Sequence, residues 1–374
     1  MKHKGKDKSR KPVDFGIFIT VFILLAFGII MVASASGPSA YSNTHDIYFF
    51  LKKQLFNAGV GIVAMLVIMN IDYRKLGKYS PVLLLISLIL LAVVWIPGVG
   101  HWENGARRWF NLGGQSLQPS EIAKLAIIFF FAYSLSKRKE YIESFTKGFL
   151  PYIIVAGLFV GFLMLEPHFS GSVVIILVSM IMLFCAGARI KHFVLLAIPA
   201  AAGMIGAVLI EPYRLVRLQT FLNPWQDMRG DGYQIVQSLY AIGSGGLFGK
   251  GLGKSLQKFL YIPEPQNDFI LSILAEELGF IGIFVVMLLF IIFIWRGIKV
   301  AMHAPDTFGS LLAVGLVSLV AVQVIINVAV VTSSMPVTGM QLPFFSAGGT
   351  ALVFLMCGVG VLLNISRYAT NEKI

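Results

Sequence analysis

Charged residues are scarce in this chain, 13% of 374 against 57% hydrophobic, and the mean hydropathy of +0.81 is far from the balance of a soluble domain. Cysteine is scarcer. The two present, Cys185 and Cys357, both fall inside apolar runs, so they read as small buried hydrophobes and exclude a disulfide framework or a thiolate metal site. A cleaved leader is not expected either, because the first apolar run, residues 15–35, is long enough to span a bilayer and reads as a retained span. No internal repeat is evident, which counts against an inverted-repeat transporter. The formal net charge of +12 is spread over loop ends with no aromatic-basic stripe, so nucleic acid is excluded as a partner.

What remains is a polytopic membrane protein. Ten apolar runs have span length, at 15–36, 54–72, 80–98, 119–136, 149–166, 171–187, 191–210, 268–295, 309–331 and 347–366. An even count puts both ends on one side. Basic residues of the tail at 1–11 and of alternate connections, among them Arg74, Lys75, Lys137, Arg138, Arg296 and Lys299, assign that side to the cytoplasm. The organisation expected is a basic cytoplasmic tail at 1–14, one ten-helix membrane unit at 15–366, and a second tail at 367–374. The tail should lie against anionic membrane lipid. Three segments on the outer side are too long to be simple connectors: 100–118, a large loop at 211–267, and 332–347.

Around Tyr261 to Gly279, Y-I-P-E-P-Q-N-D-F-I-L-S-I-L-A-E-E-L-G, acidic side chains meet a proline-stiffened turn at the start of a long apolar helix. Carboxylates are expensive beside hydrocarbon and persist there facing a cavity or a polar partner. Helical spacing of four carries one face from Asp268 through Ser272 to Glu276, with Glu277 roughly 100° away. That face is a candidate lining for a polar cleft, with Asp268 as its chemical centre. The structural alternative has Glu264 and Asp268 capping the helix N-terminus.

Other polar groups fall near the same boundary. In Q-P-S-E-I-A-K, Glu121 and Lys124 share a helix face just inside the apolar run, as an intramembrane ion pair that either serves a site or only locks helices together. Arg108 beside Trp109 is an interfacial anchor or, with Arg107, a phosphate clamp. Arg214 and Arg217, three apart, suit bidentate phosphate binding. The glycine-rich stretch around Gly249 to Lys254 lacks any nucleotide-binding spacing. The prolines and glycines of 333–350 read as re-entrant or cavity-lining backbone, or as a turn with no active role.

Taken together, G-A-R-R-W, Q-P-S-E-x-x-K, Y-R-x-x-R, G-Y-Q-I-V-Q-S, G-K-G-L-G-K-S-x-Q-K, P-E-P-x-x-D-F-I, A-E-E-L-G and P-V-T-G-x-x-L-P-F-x-S-x-G-G closely resemble the SEDS family of bacterial cell-wall and division proteins. The resemblance covers almost the whole chain after the basic tail, and sits nearer the division and sporulation branch than the elongation branch. It implies ten transmembrane helices, all-α, in the bacterial cytoplasmic membrane. The implied enzyme is an inverting peptidoglycan glycosyltransferase that polymerises lipid II into β-1,4 glycan strands at the outer face, releasing undecaprenyl diphosphate. A class B penicillin-binding protein is the implied partner. By position, the family's essential acid is Asp268, and its functionally important intramembrane pair is Glu121 and Lys124. This chain departs from the family pattern at E-P-H-F-S-G (166–171), at Asn267, and at S-A-G-G-T (346–350).

The mechanism expected has Asp268 as general base for the acceptor hydroxyl, supported by Glu264 and Glu276. Arg108, Lys124, Arg214 and Arg217 neutralise the departing pyrophosphate. No cofactor is firmly implied; a divalent cation, Mg or Mn, is the candidate, and no metal ligands are assigned. The alternatives from other classes are a lipid II flippase, with Glu121 and Lys124 along a translocation path, and a scaffold for the penicillin-binding protein.

Overall fold

An apolar run with no water around it satisfies its peptide groups only by coiling into a helix, and an apolar helix lies on each of the ten predicted runs. The computed structural model describes residues 11–103, 106–112, 115–210, 220–228, 230 and 232–369. Six helices are long and apolar enough to cross a membrane: α1 (Phe15–Thr44), α2 (Phe49–Ile68), α5 (Pro119–Lys137), α6 (Leu150–Leu165, extended by the turn at Phe145–Phe149), α10 (Ile270–Met302) and α11 (Thr307–Val331). Shorter apolar helices are α4 (Ser80–Val94, after the short α3, Tyr73–Lys78), α7 (Phe169–Cys185), the first part of α8 (Ile190–Ile210), and α12 (Thr350–Ser366). The amphipathic α9 (Tyr233–Gly245) lies between α8 and α10. The protein is a multi-pass membrane protein.

An all-α reading missed one element. Residues 101–117 form a small antiparallel sheet of β1 (His101–Glu103), β2 (Ala106–Leu112) and β3 (Gln115–Leu117). Trp102 pairs with Arg107, and Phe110 with Leu117. Aromatic and polar residues in alternation favour strand pairing, and hydropathy scanning for long runs is blind to it. Arg107 stacks on Trp102, its guanidinium 5.4 Å from the ring centre, and does not join Arg108 in a phosphate clamp.

α11 is the centre of the bundle, packing on α5, α7 and α10, while α12 packs on α2. Its close approaches use small residues, as at Gly315, where an added Cβ would meet the side chains of Ile128 and Met182. The first and last described segments lie together: Lys11 Nζ donates to Ala369 O at 2.8 Å and Asp14 N–H to Ser366 Oγ at 3.0 Å.

At 33 residues, α10 is about 50 Å long at 1.5 Å per residue, well beyond the roughly 30 Å hydrocarbon core. It breaks at Gly279, whose φ of +67° is open to glycine. Into that break docks the glycine-rich loop at 246–258: Phe280 and Ile281 donate to Gly246 O and Leu247 O, while Lys250 and Gly251 donate back to Glu276 O and Glu277 O. The two buried carboxylates fasten the same loop. Glu276 accepts from Lys250 Nζ at 2.7 Å and from the backbone N–H groups of Leu256 and Gln257 at 3.1 and 3.2 Å. Glu277 accepts from Lys258 Nζ at 3.0 Å and Ser34 Oγ at 2.7 Å. Lys258 and Glu277 are 6% and 0% exposed, so removing one partner strands a buried charge, at a cost of about 3–5 kcal/mol. Lys258→Ala should lower the melting temperature in detergent, and Lys258→Met with Glu277→Leu should restore much of the loss; equal melting of the wild type and Lys258→Ala would refute the pairing.

Candidate active site

The turn after the glycine-rich loop delivers Asp268 to the mouth of a cavity of about 270 Å³. Its backbone is held from three sides. Asn327, fully buried on α11, donates through Nδ2 to Asp268 O at 2.8 Å and to Met340 O at 2.6 Å. Ser346 Oγ donates to Asn267 O at 2.6 Å, and Ala347 N–H to Gln266 O at 2.9 Å. These bonds tie the turns leading into α10, the irregular segment 332–349, and α11 into one unit. The 332–349 segment indeed lines the cavity, through Thr338, Gly339 and Met340 among others. Gly339 has φ of +70°, and a Cβ there would lie 3.2 Å from Asp268 Oδ2, so only glycine gives the carboxylate this clearance.

The other wall carries the cations. Pro119 starts α5 and puts Glu121 and Lys124 one turn below the rim. Lys124 Nζ lies 2.7 Å from Glu121 Oε1, with side chains 5% and 13% exposed, and both line the cavity. Arg108, on β2, is aimed by main-chain carbonyls of the α6–α7 turn, donating to Glu166 O at 2.9 Å and Pro167 O at 2.6 Å. His168 in the same turn also lines the cavity. Burial, with Arg108 and Lys124 nearby, holds its imidazole down to about 3, so it is neutral at working pH. Glu166, 1% exposed with neither carboxylate oxygen partnered among the described residues, is pushed up to about 8 by burial.

Of the residues singled out in the sequence, Asp268, Glu264, Glu121, Lys124 and Arg108 therefore surround one cavity. Glu276 does not. The face running from Asp268 through Ser272 was expected to continue the cleft, but Ser272 Oγ bonds Ser238 Oγ at 2.7 Å and Glu276 is consumed by Lys250 and Ser255. The reason is that α9 and the glycine-rich loop pack over this face, so its polar groups turn to them. Arg214 and Arg217 lie outside the described residues. The reading of Glu264 as a helix cap gives way to another role: its Oε2 accepts from Asn267 Nδ2 at 2.9 Å. Missed altogether were Asn327, which with Gln323 is one of two amides inside an apolar span, and Thr338.

Burial, reinforced by Glu264 and opposed by Arg108, raises the Asp268 carboxyl from 3.8 to about 6. At neutral pH this carboxyl is mostly ionised, with cations across the cavity. The fold and the site define a membrane-embedded protein in which a buried carboxylate and two cationic side chains line one cavity.

The chain belongs to the FtsW, RodA and SpoVE family, described as cell cycle proteins, which it matches over residues 15–371. It is 50% identical to stage V sporulation protein E of Bacillus subtilis over 357 residues, covering 95% of this chain and 97% of that protein. It is 45% identical to a probable peptidoglycan glycosyltransferase FtsW of Trichlorobacter lovleyi over 362 residues, covering 96% and 95%. Among solved structures it resembles a chain of a peptidoglycan synthase complex that coordinates polymerisation and cross-linking, with a TM-score of 0.81, 29% identity, and 96% and 99% of the two chains covered. The rod shape determining protein RodA of Thermus thermophilus gives a TM-score of 0.69 at 27% identity, covering 96% and 98%.

The raised Asp268 value has a stability consequence. Between 3.8 and about 6 the folded state binds the proton more tightly than the unfolded chain, so this group's contribution is favourable below that window and lost as pH rises through it. Asp268→Asn should therefore melt higher than the wild type at pH 7.5, with the difference vanishing by about pH 4; a lower melting temperature at pH 7.5 would contradict the burial.

Proposed function

We propose that the chain is a peptidoglycan glycosyltransferase, an inverting enzyme that polymerises lipid II into β-1,4 glycan strands and releases undecaprenyl diphosphate. The observation that carries this reading is the single cavity holding Asp268 against Arg108 and Lys124, in a chain whose relatives are named for that activity. Ten spans with both termini in the cytoplasm put the cavity at the outer rim of the bacterial cytoplasmic membrane; the adjacency of Lys11 and Ala369 supports an even number of crossings. A polyprenyl tail lies in the bilayer while the sugars enter the cavity from outside.

Polymerisation needs one proton removed as one bond breaks. Asp268 takes the proton of the acceptor 4-hydroxyl, whose oxygen attacks the anomeric carbon from the face opposite the pyrophosphate, inverting that centre without a covalent intermediate. Arg108 and Lys124 receive the negative charge that develops on the leaving pyrophosphate. Lys124 is held in place by Glu121 and Arg108 by the Glu166 and Pro167 carbonyls. A divalent cation, Mg or Mn, would find at this cavity the carboxylates of Asp268 and Glu264, with that of Glu121 already bonded to Lys124, which suits an ion carried mainly by phosphate oxygens; when bound it would add charge neutralisation. The partner is a class B penicillin-binding protein that cross-links the strands. The 50% identity to a sporulation protein favours the division and sporulation branch.

The decisive assay is incubation with lipid II, with and without the cognate penicillin-binding protein, resolving glycan products on a gel. Asp268→Asn should cut the rate by at least the roughly 10² to 10⁴ that a general base contributes, while the protein still inserts and folds; retained polymerisation would refute the assignment. For the wild type, kcat/KM should fall tenfold per pH unit below about pH 6, where the Asp268 carboxylate becomes protonated. Arg108→Ala should depress kcat more than it raises KM, because developing charge is greatest in the transition state.

A further inference from the structure

Two neutral polar atoms beside Asp268 have nothing to bond among the described residues. Asn267 Oδ1 and Thr338 Oγ1 are both shielded from solvent and have no hydrogen-bond partner among the described residues, and both residues line the cavity. They flank the carboxylate from two segments: Asn267 precedes Asp268 in the chain, and Thr338 precedes Gly339, whose backbone approaches Asp268 Oδ2. A buried polar atom without a partner is costly, and two such atoms on residues that line one cavity mark where a ligand supplies the missing bonds.

The chemistry of the two atoms selects the ligand. The Asn267 amide is oriented by its Nδ2, which donates to Glu264 Oε2 at 2.9 Å, while Oδ1 is left without a partner among the described residues. An amide oxygen only accepts, so its partner must donate, and an ionised pyrophosphate has no proton to give. Thr338 Oγ1 both donates and accepts. Hydroxyl and amide N–H groups of a saccharide satisfy this pair, whereas phosphate oxygens match Arg108 and Lys124 on the wall formed by β2 and α5.

We propose that Asn267 and Thr338 form a saccharide subsite that binds the sugar whose hydroxyl Asp268 deprotonates, separate from the cationic subsite for pyrophosphate. This rests on the glycosyltransferase reading above and deepens it. The subsite orients the acceptor hydroxyl toward Asp268 Oδ2, and its two hydrogen bonds recognise the headgroup rather than the lipid carrier.

The test measures binding of two probes, lipid II and undecaprenyl pyrophosphate, which lacks the sugars, to the full-length protein in detergent by thermophoresis. Every protein carries Asp268→Asn, which stops turnover. Added Thr338→Val and Asn267→Leu should each weaken lipid II binding about tenfold and leave undecaprenyl pyrophosphate binding unchanged. Thr338→Ser, which keeps the hydroxyl, should retain lipid II affinity and so separates lost bonding from a packing defect. Equal weakening of both probes, or none, would overturn the subsite while leaving the polymerase reading intact. Failure of the reference protein to bind lipid II at all would overturn that reading and the subsite with it.

Discussion

A carboxylate at the rim of a membrane bundle is useful only if its backbone cannot drift, and here that constraint is met by charge buried about two turns further along the chain. Glu276 and Glu277 sit fully inside the protein. They take up Lys250, Lys258 and the backbone N–H groups of residues 255–257. Replacing buried ion pairs by apolar residues is often neutral for stability, so their value here lies in register. Two carboxylates and a glycine break in α10 accept one arrangement of the 246–258 loop, and that loop sets where the next ten residues run to reach Asp268.

Downstream of this clamp the same logic repeats with neutral groups. Ser39, Ser346 and Asn327 each bond the Gln266–Asp268 stretch, at 3.0 Å to Gln266 Oε1, 2.6 Å to Asn267 O and 2.8 Å to Asp268 O. The donors come from α1, the segment before α12, and α11. Three separate parts of the bundle therefore have to be in place before Asp268 is, which couples assembly of the helices to the position of that carboxylate.

Electrostatically the cavity is divided. Asp268 is held with a raised affinity for protons by burial and by Glu264, while Arg108 opposes. Arg108 donates to main-chain carbonyls at 2.9 and 2.6 Å, which fix where its guanidinium sits. The nearby Glu166 carboxyl is pushed up to about 8 by burial and is mostly neutral at pH 7. A carboxylate and two cations line one small volume, and neighbours fix their positions: carbonyls for Arg108, Glu121 for Lys124, and backbone bonds for Asp268.

The apolar runs, the position of Asp268 at the start of a span, and the Glu121–Lys124 spacing of three were all legible from residue order, because span length and helical periodicity are local properties. Family membership was legible for the same reason, since the motifs are contiguous. The sheet at 101–117 was not, as cross-strand pairing joins residues that no helical period relates. Nor was the fate of Glu276: periodicity correctly put it on one face with Ser272, but which neighbour covers that face is a matter of packing between α9, the glycine-rich loop and α10. Asn327 and Thr338 carried no sequence signal beyond being polar near apolar runs. Only the tertiary structure brings them to Asp268, because hydrogen bonds across 59 residues of chain depend on where α11 and the segment after it come to rest.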